Sequence, residues 1–325
     1  MPSTQQGLVL RIDAKVCHVE VDGQRRQLPL AGKLFEQRSH EKRPLAVGDR
    51  VELDATGQAI DALLPRRTQL HRRAASEGEE RAQVVAANIT RVLVVASIAD
   101  PPLQPELVDG VLAAAAREGI PATLVLTKID LDPPAAARWA AVYGHCGAAV
   151  VATSLAPEQR TEPELERLAT LLHTNETVLC GLSGAGKSSL VNALVPGIAL
   201  RTGHLNHIGQ GRHTTTHTEL LQLPGGGHVL DTPGVRNFHL FHAGPQELQF
   251  LFPELVAVRE RCEYRNCLHD DEVGCAVRGA VAAAEIPATR FASYTRMLTD
   301  ALAAEDPGAA KAPTRGGGRR RSRRR

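Results

Sequence analysis

The spacing of apolar and polar positions changes along the chain. Up to about residue 65, short alternating stretches predominate, and in "LAVGDRVELD" Val51 and Leu53 fall on one face with charged residues on the other. The Asp22-Gly23 pair that ends "KVCHVEVDG" is a hairpin signal. Several short strands in a small N-terminal unit predict a closed or partly closed β-barrel. The charged stretch "LPRRTQLHRRAASEGEE", residues 64–80, predicts a linker with a basic side.

From about residue 84, continuous apolar strands alternate with amphipathic segments. The strands are "RVLVVAS" (91–97), "ATLVLTK" (122–128), "AAVVATS" (148–154) and "TVLCG" (177–181). In the segment before the last strand, helical spacing puts Leu165, Leu168 and Leu172 on one face. This alternation predicts an α/β domain with a doubly wound parallel sheet. The stretch "TELLQLPGGGHVLDTPG" then predicts two strands joined by a glycine-rich hairpin, and the domain extends to about residue 240.

Composition and charge narrow the class of protein. The 325 residues, 43% apolar and 23% charged, are typical of a soluble globular protein with two or three domains. The net charge of +2 is unevenly distributed, because the final stretch, "RGGGRRRSRRR", has seven arginines and no acidic residue. It favours a polyanionic partner, with a disordered solvated tail as the alternative. No apolar run approaches the roughly 20 residues of a membrane span, and the N-terminus lacks a signal-peptide pattern, so a cytoplasmic location is expected.

The stretch "GLSGAGKS" fits the phosphate-loop pattern G-x-x-x-x-G-K-[ST], after an apolar strand and before a helix-like segment. Its glycines let backbone N–H groups face phosphate oxygens at a helix N-terminus. Lys187 is expected to reach the β- and γ-phosphates, and Ser188 to bind Mg²⁺. The nucleotide-binding residues expected here are Gly181, Leu182, Ser183, Gly184, Ala185, Gly186, Lys187, Ser188 and Ser189.

Two further strand ends indicate guanine as the base. In "TKID", which begins at Thr127, the Asp130 carboxylate can accept hydrogen bonds from guanine N1–H and the N2 amino group, which adenine lacks. The stem of Lys128 is expected to lie along the base, and Ser154 in "ATSLA" to support it. The alternative for "TKID" alone is an ordinary strand exit, and a kinase or ATPase on the same phosphate loop is a further hypothesis.

The order of these motifs is reversed relative to an ordinary guanine-nucleotide switch, where the phosphate loop comes first and Lys-x-Asp last. Here "TKID" comes first, and "DTPG" follows the phosphate loop, with Asp231 expected to hold Mg²⁺ through water and Gly234 to contact the γ-phosphate. Parallel strand ends on one edge of a sheet build one site in whatever order the chain visits them. The sequence therefore predicts a circularly permuted GTPase, which is tolerable because chain termini usually lie near each other.

The residue that would direct the attacking water is not set by the usual pattern. Many GTPases have glutamine directly after the Asp-x-x-Gly element, where this chain has Val235. The segment "GQGRHTTTH", 209–217, offers His213 and Gln210, and His213 is our choice because neutral imidazole can activate water near pH 7. One threonine of 214–216, taken as Thr215, is expected to ligate Mg²⁺. The alternative is a flexible polar loop in which His213 has no chemical role. Val235 also motivates a second hypothesis, a GTP-binding RNA scaffold with negligible turnover.

The stretch "CEYRNCLHDDEVGC" contains Cys262, Cys267, His269 and Cys275. Three thiolates and an imidazole form a closed tetrahedral set that suits one structural Zn²⁺. The alternative is free thiols near a surface histidine, and the two aspartates after His269 are substitute ligands. A unit of about 60 residues has little core, so the metal would contribute to its folding. The other three cysteines are expected to be buried thiols.

Together these residues resemble the RsgA (YjeQ) family of GTPases that depend on the small ribosomal subunit. The resemblance covers essentially the whole chain, including "GRHTTTH" and "TPGVR". We divide the chain into an OB-type RNA-binding domain (1–70), a circularly permuted GTPase domain (71–240), a zinc-binding domain (241–300) and a disordered basic tail (301–325). Thr127 departs from the family pattern, since most GTPases have asparagine there, which would weaken the tie between the base-reading and phosphate loops.

The resemblance also implies a function. It implies a late assembly factor of the 30S subunit, with GTP hydrolysis stimulated by that subunit and His213 as the catalytic residue. It further implies contacts of the OB and zinc domains with 16S rRNA. Nothing in the sequence demands more than a monomer.

Overall fold

The computed structural model describes residues 5–13, 16–29, 45–73, 82–197, 219–231 and 243–305. Within these ranges the chain forms thirteen strands and eight α-helices. Among the helices of these ranges, none has the length and apolar character needed to cross a bilayer.

Five short strands at the N-terminus form a curled antiparallel sheet. They are β1 (Gln6–Ile12), β2 (Cys17–Val21), β3 (Gln24–Leu28), β4 (Arg50–Leu53) and β5 (Ile60–Leu63). β1 pairs with both β2 and β4, and these pair with β3 and β5. The Ile60 N–H donates to the Pro29 carbonyl at 3.0 Å, which brings the end of β3 to the start of β5. This arrangement agrees with a partly closed barrel, while its OB type stays a prediction.

The stretch predicted to be a linker is partly a strand. β6 (Gln69–Arg73) pairs antiparallel with β7 (Ala82–Ala87) in a separate two-stranded sheet. The linker prediction is therefore wrong for residues 69–73. The polar residues of this stretch do not show the alternation of a strand, because the pairing is made by backbone groups. Of the side chains that the structure describes between 69 and 71, Leu70 is the buried one.

The central sheet contains β8 (Arg91–Ser97), β9 (Ala122–Thr127), β10 (Ala149–Ala152), β11 (Glu176–Cys180), β12 (Glu219–Gln222) and β13 (His228–Asp231). Their order across the sheet is β10-β9-β8-β11-β13-β12. The first five are parallel, and β12 pairs antiparallel with β13. The doubly wound parallel sheet and the hairpin are thus confirmed. The carboxyl ends of all five parallel strands meet at one edge, where ligands of such sheets bind.

Helices cover both faces of this sheet. They are α1 (Pro105–Arg117), α2 (Pro133–His145), α3 (Glu162–His173) and α4 (Lys187–Leu194). α1 and α2 bury Val108, Val111 and Tyr143 against one face. α3 and α4 bury an apolar set on the other face that includes the predicted Leu165, Leu168 and Leu172. Because both faces are covered, the interior positions of the parallel strands are mostly apolar, which makes them recognisable in the sequence.

The barrel and the central sheet are continuous. β1 pairs antiparallel with β12 at Arg11 and Glu219, so an eleven-stranded sheet runs from β10 into the barrel. Arg25 Nη1 of β3 donates to Glu219 Oε1 at 2.7 Å. The hairpin of β12 and β13 is therefore held directly by the barrel.

The C-terminal module, defined here as residues 243–305, contains α5 (Pro245–Leu248), α6 (Pro253–Arg259), α7 (Ala276–Ala282) and α8 (Ala288–Glu305). Its core includes Phe252, Leu255, Val277 and Tyr294, and it also takes in Ala113 of α1. The module therefore packs on α1.

Candidate nucleotide site and metal centre

The predicted phosphate loop connects β11 to α4 at the shared strand edge. Gly181, Gly184 and Gly186 all have positive φ angles, of 140°, 85° and 90°. A Cβ at Gly181 would lie 2.0 Å from the carbonyl oxygen of Val95 in β8, so a side chain there would collide with a backbone atom. The sequence thus supplies glycine where the loop must turn sharply against a neighbouring strand.

Lys187 begins α4 and reaches back over the loop. Its Nζ donates to the carbonyl oxygens of Gly181 at 2.9 Å and of Leu182 at 2.8 Å. Ser188, half-buried, and Ser189, exposed, follow in the first turn of the helix. The ammonium group and the helix N-terminus therefore meet at the loop, which is the arrangement that favours bound phosphate.

The base-reading loop is tied to the phosphate loop through Thr127 at the end of β9. Thr127 is buried, and its Oγ1 donates to the Ala185 carbonyl oxygen at 2.7 Å. The threonine in place of asparagine therefore does not remove the link between the two loops, contrary to the expectation from the sequence. A hydroxyl is long enough here because the phosphate loop passes directly beside Thr127, where a Cβ at Gly186 would lie 3.7 Å from Thr127 Oγ1.

Lys128 and Asp130 leave the sheet at the same edge. Lys128 has a left-handed φ of 54°, and its Nζ donates to the carbonyl of Asp100. Ser154 follows β10, is buried, and donates from Oγ to Asp130 Oδ1 at 2.5 Å. Its Oγ also accepts the Ala156 N–H at 3.0 Å. Ser154 thus fixes the carboxylate that was predicted to read the base.

Sequence reasoning missed the loop of residues 98–104, which joins β8 to α1 beside the nucleotide site. Besides the bond from Lys128 to Asp100, Ser97 Oγ donates to the Pro101 carbonyl oxygen at 2.6 Å. A Cβ at Gly184 would lie 3.3 Å from Pro101 Cδ, so this loop also abuts the phosphate loop. The sequence "DPP" of residues 100–102 is typical of a turn, and no residue type there indicates a nucleotide contact.

The remaining predicted residues are placed only in part. Asp231 ends β13, with its backbone opposite Leu179 of β11, the strand that leads into the phosphate loop. Gly234, Val235 and the segment with Gln210, His213 and Thr215 lie outside the described residues, as do residues 306–325 of the basic tail. Residues 301–305 continue α8 to its end at Glu305, so the prediction of a disordered tail is wrong for these five residues.

The four predicted metal ligands are brought together in the C-terminal module. One ligand atom from each of Cys262, Cys267, His269 and Cys275 lies within 4.8 Å of the others. His269 Nδ1 is 3.4 Å from Cys275 Sγ and 3.7 Å from Cys262 Sγ. Tetrahedral zinc, with bonds of about 2.3 Å to sulfur and 2.0 Å to nitrogen, needs separations of about 3.5 Å between such atoms. The spacing fits one zinc ion.

The surroundings of these ligands also fit a cation. His269 Nε2 lies 3.1 Å from Gln249 Oε1, which favours a proton on Nε2 and leaves the Nδ1 lone pair facing the thiols. Burial lowers the pKa of His269, so the imidazole is neutral. Burial raises the pKa of Cys267 to about 12 and also that of Cys275, so their thiolates need a balancing cation.

The alternatives for the metal centre find less support. Asp271 Oδ1 accepts a bond from Arg278 Nη1 at 2.9 Å, and within the described ranges neither Asp270 nor Asp271 joins the ligand cluster. The three other cysteines, Cys17, Cys146 and Cys180, are buried free thiols, as predicted. Burial raises the pKa of each, to about 11 or 12, which keeps them protonated and unreactive.

Comparison with known proteins finds relatives that match this chain over nearly their whole length. The sequence model of the RsgA GTPase family matches residues 63–241. A relative from Moorella thermoacetica, named small ribosomal subunit biogenesis GTPase RsgA, is 36% identical over 304 residues, covering 92% of this chain and 98% of the relative. A relative of the same name from Gemmatimonas aurantiaca is 35% identical over 310 residues, covering 93% and 99%.

Solved structures are similar over the same extent. YjeQ from Thermotoga maritima superposes with a TM-score of 0.73 at 30% identity, covering 92% of this chain and 98% of that one. YloQ, described as a circularly permuted GTPase, gives a TM-score of 0.68 at 24% identity over 93% and 96% of the two chains. The predicted circularly permuted GTPase fold is thereby confirmed. With its motif order, its sheet and relatives that match along nearly their whole length, the chain belongs to the RsgA GTPase family.

Proposed function

We propose that this chain binds GTP at the carboxyl edge of the parallel sheet and hydrolyses it during biogenesis of the small ribosomal subunit. The observation that supports this most directly is the meeting of two motifs distant in sequence. Thr127 joins the base-reading loop to Ala185 of the phosphate loop, and Ser154 orients Asp130 beside them. The proposed process, biogenesis of the small ribosomal subunit, is taken from the names of the relatives.

In this proposal each part of the edge contacts a different part of the nucleotide. Asp130 accepts hydrogen bonds from guanine, and the stem of Lys128 lies along the base. The loop from Gly181 to Ser189 surrounds the phosphates, with Lys187 on the β- and γ-phosphates and Ser188 as a ligand of Mg²⁺. The bound Mg²⁺ supplies positive charge where negative charge develops during phosphoryl transfer.

The residues of the hydrolysis step are proposed from the sequence pattern. Asp231 at the end of β13 holds Mg²⁺ through water, and Gly234 contacts the γ-phosphate. Thr215 completes the magnesium ligands, and His213 orients the attacking water because Val235 has no group that could do so.

The flanking parts are proposed to bind RNA, with the division into domains 1–70, 71–240, 241–300 and 301–325. The barrel, taken as an OB fold, carries exposed Arg25 and Arg50. With 3% aromatic residues in the chain, phosphate contacts outweigh stacking in binding 16S rRNA, and raised salt weakens the complex. The Cys/His cluster holds one structural zinc. We propose that the protein acts in the cytoplasm, because its proposed partner is the assembling 30S subunit. We also propose that it is a monomer.

The deciding experiment measures phosphate release from GTP with and without purified 30S subunits. Wild type is compared with His213→Ala and with His217→Ala, which removes a histidine from the same segment. We expect slow basal release, strong stimulation by 30S subunits, and loss of stimulated release in His213→Ala only.

Each other outcome has a definite meaning. Stimulation that survives in His213→Ala would assign the attacking water to Gln210 or to the ribosome. Absence of turnover in wild type with 30S subunits would leave a GTP-binding rRNA scaffold. Release from ATP as fast as from GTP would contradict the role of Asp130 and favour an ATPase.

A further inference from the structure

A buried charge network links the C-terminal module to α1. Arg290 of α8 donates from Nε to Glu254 Oε1 at 2.7 Å and from Nη2 to Glu254 Oε2 at 3.3 Å. Its third contact crosses to α1, where Nη1 donates to Asp109 Oδ1 at 2.6 Å. Arg290 is 3% exposed, Asp109 0% and Glu254 8%, so water does not compete for these bonds.

The network joins the C-terminal module to α1 through one side chain, that of Arg290. Glu254 and Arg290 both belong to the C-terminal module, and the two bonds between them hold the guanidinium plane in one orientation. The planes of Phe252 and Tyr143 flank it, with the guanidinium carbon 4.7 and 5.7 Å from their ring centres. The module therefore presents a fixed cation to a single carboxylate of α1.

Such a contact specifies position more than it adds stability. Apolar packing between α1 and the module, at Ala113 for example, is non-directional. A buried hydrogen-bonded ion pair does not tolerate a change of position, because any shift leaves a charge unpaired. Burial raises the pKa of Asp109, although Arg290 and the hydroxyls of Ser293 and Tyr143 act to lower it. The direction reflects the cost of burying a carboxylate here.

The N-terminal end of α1, which contains Asp109, also lies at the nucleotide site. Leu107 and Val108, directly before Asp109, line a small cavity together with Leu182 and Ala185 of the phosphate loop. Loop 98–104 leads into this first turn of α1 and accepts the Lys128 ammonium on the carbonyl of Asp100. The helix that holds Asp109 therefore also supports both nucleotide motifs.

Building on the GTP-binding function proposed above, we propose that Asp109 and Arg290 are positioning residues for the nucleotide. By setting the place of the C-terminal module on α1, they hold loop 98–104, and with it Lys128 and the phosphate loop, in the arrangement that binds guanine nucleotide. The module thereby adjusts nucleotide affinity without touching the nucleotide.

The test measures the dissociation constant of a fluorescent GDP analogue in Asp109→Asn and Arg290→Met, well below the unfolding temperature of each variant. Asp109→Asn is the milder change, since it leaves the pair of Arg290 and Glu254 intact. The matched controls are Glu247→Gln and Arg117→Met. These residues form an exposed ion pair of 2.9 Å between α5 and the same helix α1. Zinc content is measured in every protein.

We expect both network variants to bind the analogue at least about fivefold more weakly, within the usual range of couplings between sites. Both should retain full zinc content, and the controls should bind as wild type does. If Arg290→Met does not fold, Asp109→Asn decides alone. Unchanged affinity in the folded variants would overturn the inference, and so would a loss that accompanies loss of zinc. Wild type that does not bind the analogue would instead refute the proposed function itself.

Discussion

Replacing Thr127 with valine removes one hydroxyl and preserves the shape of the side chain. In the structure this hydroxyl donates to the Ala185 carbonyl oxygen at 2.7 Å, and Thr127 is 6% exposed. Loss of the donor removes a hydrogen bond from a buried carbonyl, which costs about 1–3 kcal/mol. We therefore expect the free energy of unfolding of Thr127→Val to fall by about this amount.

The control is a second buried threonine of the same sheet. Thr177 of β11 is 0% exposed, and its Oγ1 has no hydrogen-bond partner among the described atoms. Thr177→Val removes an unpaired polar atom, so it should leave stability unchanged or raise it. The two variants make the same chemical change and differ in whether the hydroxyl bonds to the phosphate loop.

The assay is urea unfolding followed by fluorescence of the chain's one tryptophan, Trp139, which lies in α2 and reports on the α/β domain. The dissociation rate of GDP is measured in parallel, and it should increase in Thr127→Val because the two loops are no longer joined. Equal unfolding curves for the two variants would refute the assigned role of Thr127. A faster GDP release from Thr177→Val would do the same.

Three other changes test separate parts of the site. Ser154→Ala removes the 2.5 Å hydrogen bond to Asp130. We expect it to weaken the binding of guanine nucleotide about tenfold, measured by titrating the protein with guanine nucleotide and, for comparison, with adenine nucleotide. Gly181→Ala places a Cβ 2.0 Å from a backbone oxygen of β8; we expect loss of GDP binding and a lower melting temperature, and wild-type binding would contradict the loop geometry. Gln249→Leu removes the acceptor 3.1 Å from His269, and zinc affinity, measured by chelator competition, should fall about tenfold or more.

The parts of the fold that could be predicted are those with local signals. β8 and β9 are mostly apolar because helices cover both faces of the sheet, and the phosphate loop has glycine where a side chain would collide. The spacing from Cys262 to Cys275 likewise identified a metal centre whose atoms the structure brings together. These features depend on short stretches of sequence.

The parts that could not be predicted depend on pairs of residues far apart in the chain. Asp109 and Arg290 are separated by 181 positions, and each looks like a solvent-facing charge on its own helix. β6 was missed because its partner strand, not its own pattern, stabilises it. The threonine at position 127 led to the expectation of a weaker contact between the base-reading and phosphate loops. That expectation was wrong because the sequence does not show how close Thr127 lies to Ala185.

The strand order has a consequence for synthesis of the chain. β8, β9 and β10 are made consecutively and are also neighbours in the sheet. β11 then joins the β8 edge and β13 joins β11, so each parallel strand made after β10 adds beside one that already exists. The loops proposed to read guanine, at residues 127–130 and 154, are therefore synthesised before the phosphate loop. A nascent chain of this protein carries the residues proposed to bind the base before it carries those proposed to bind phosphate, and the contact of Thr127 with Ala185 can form only after both are present.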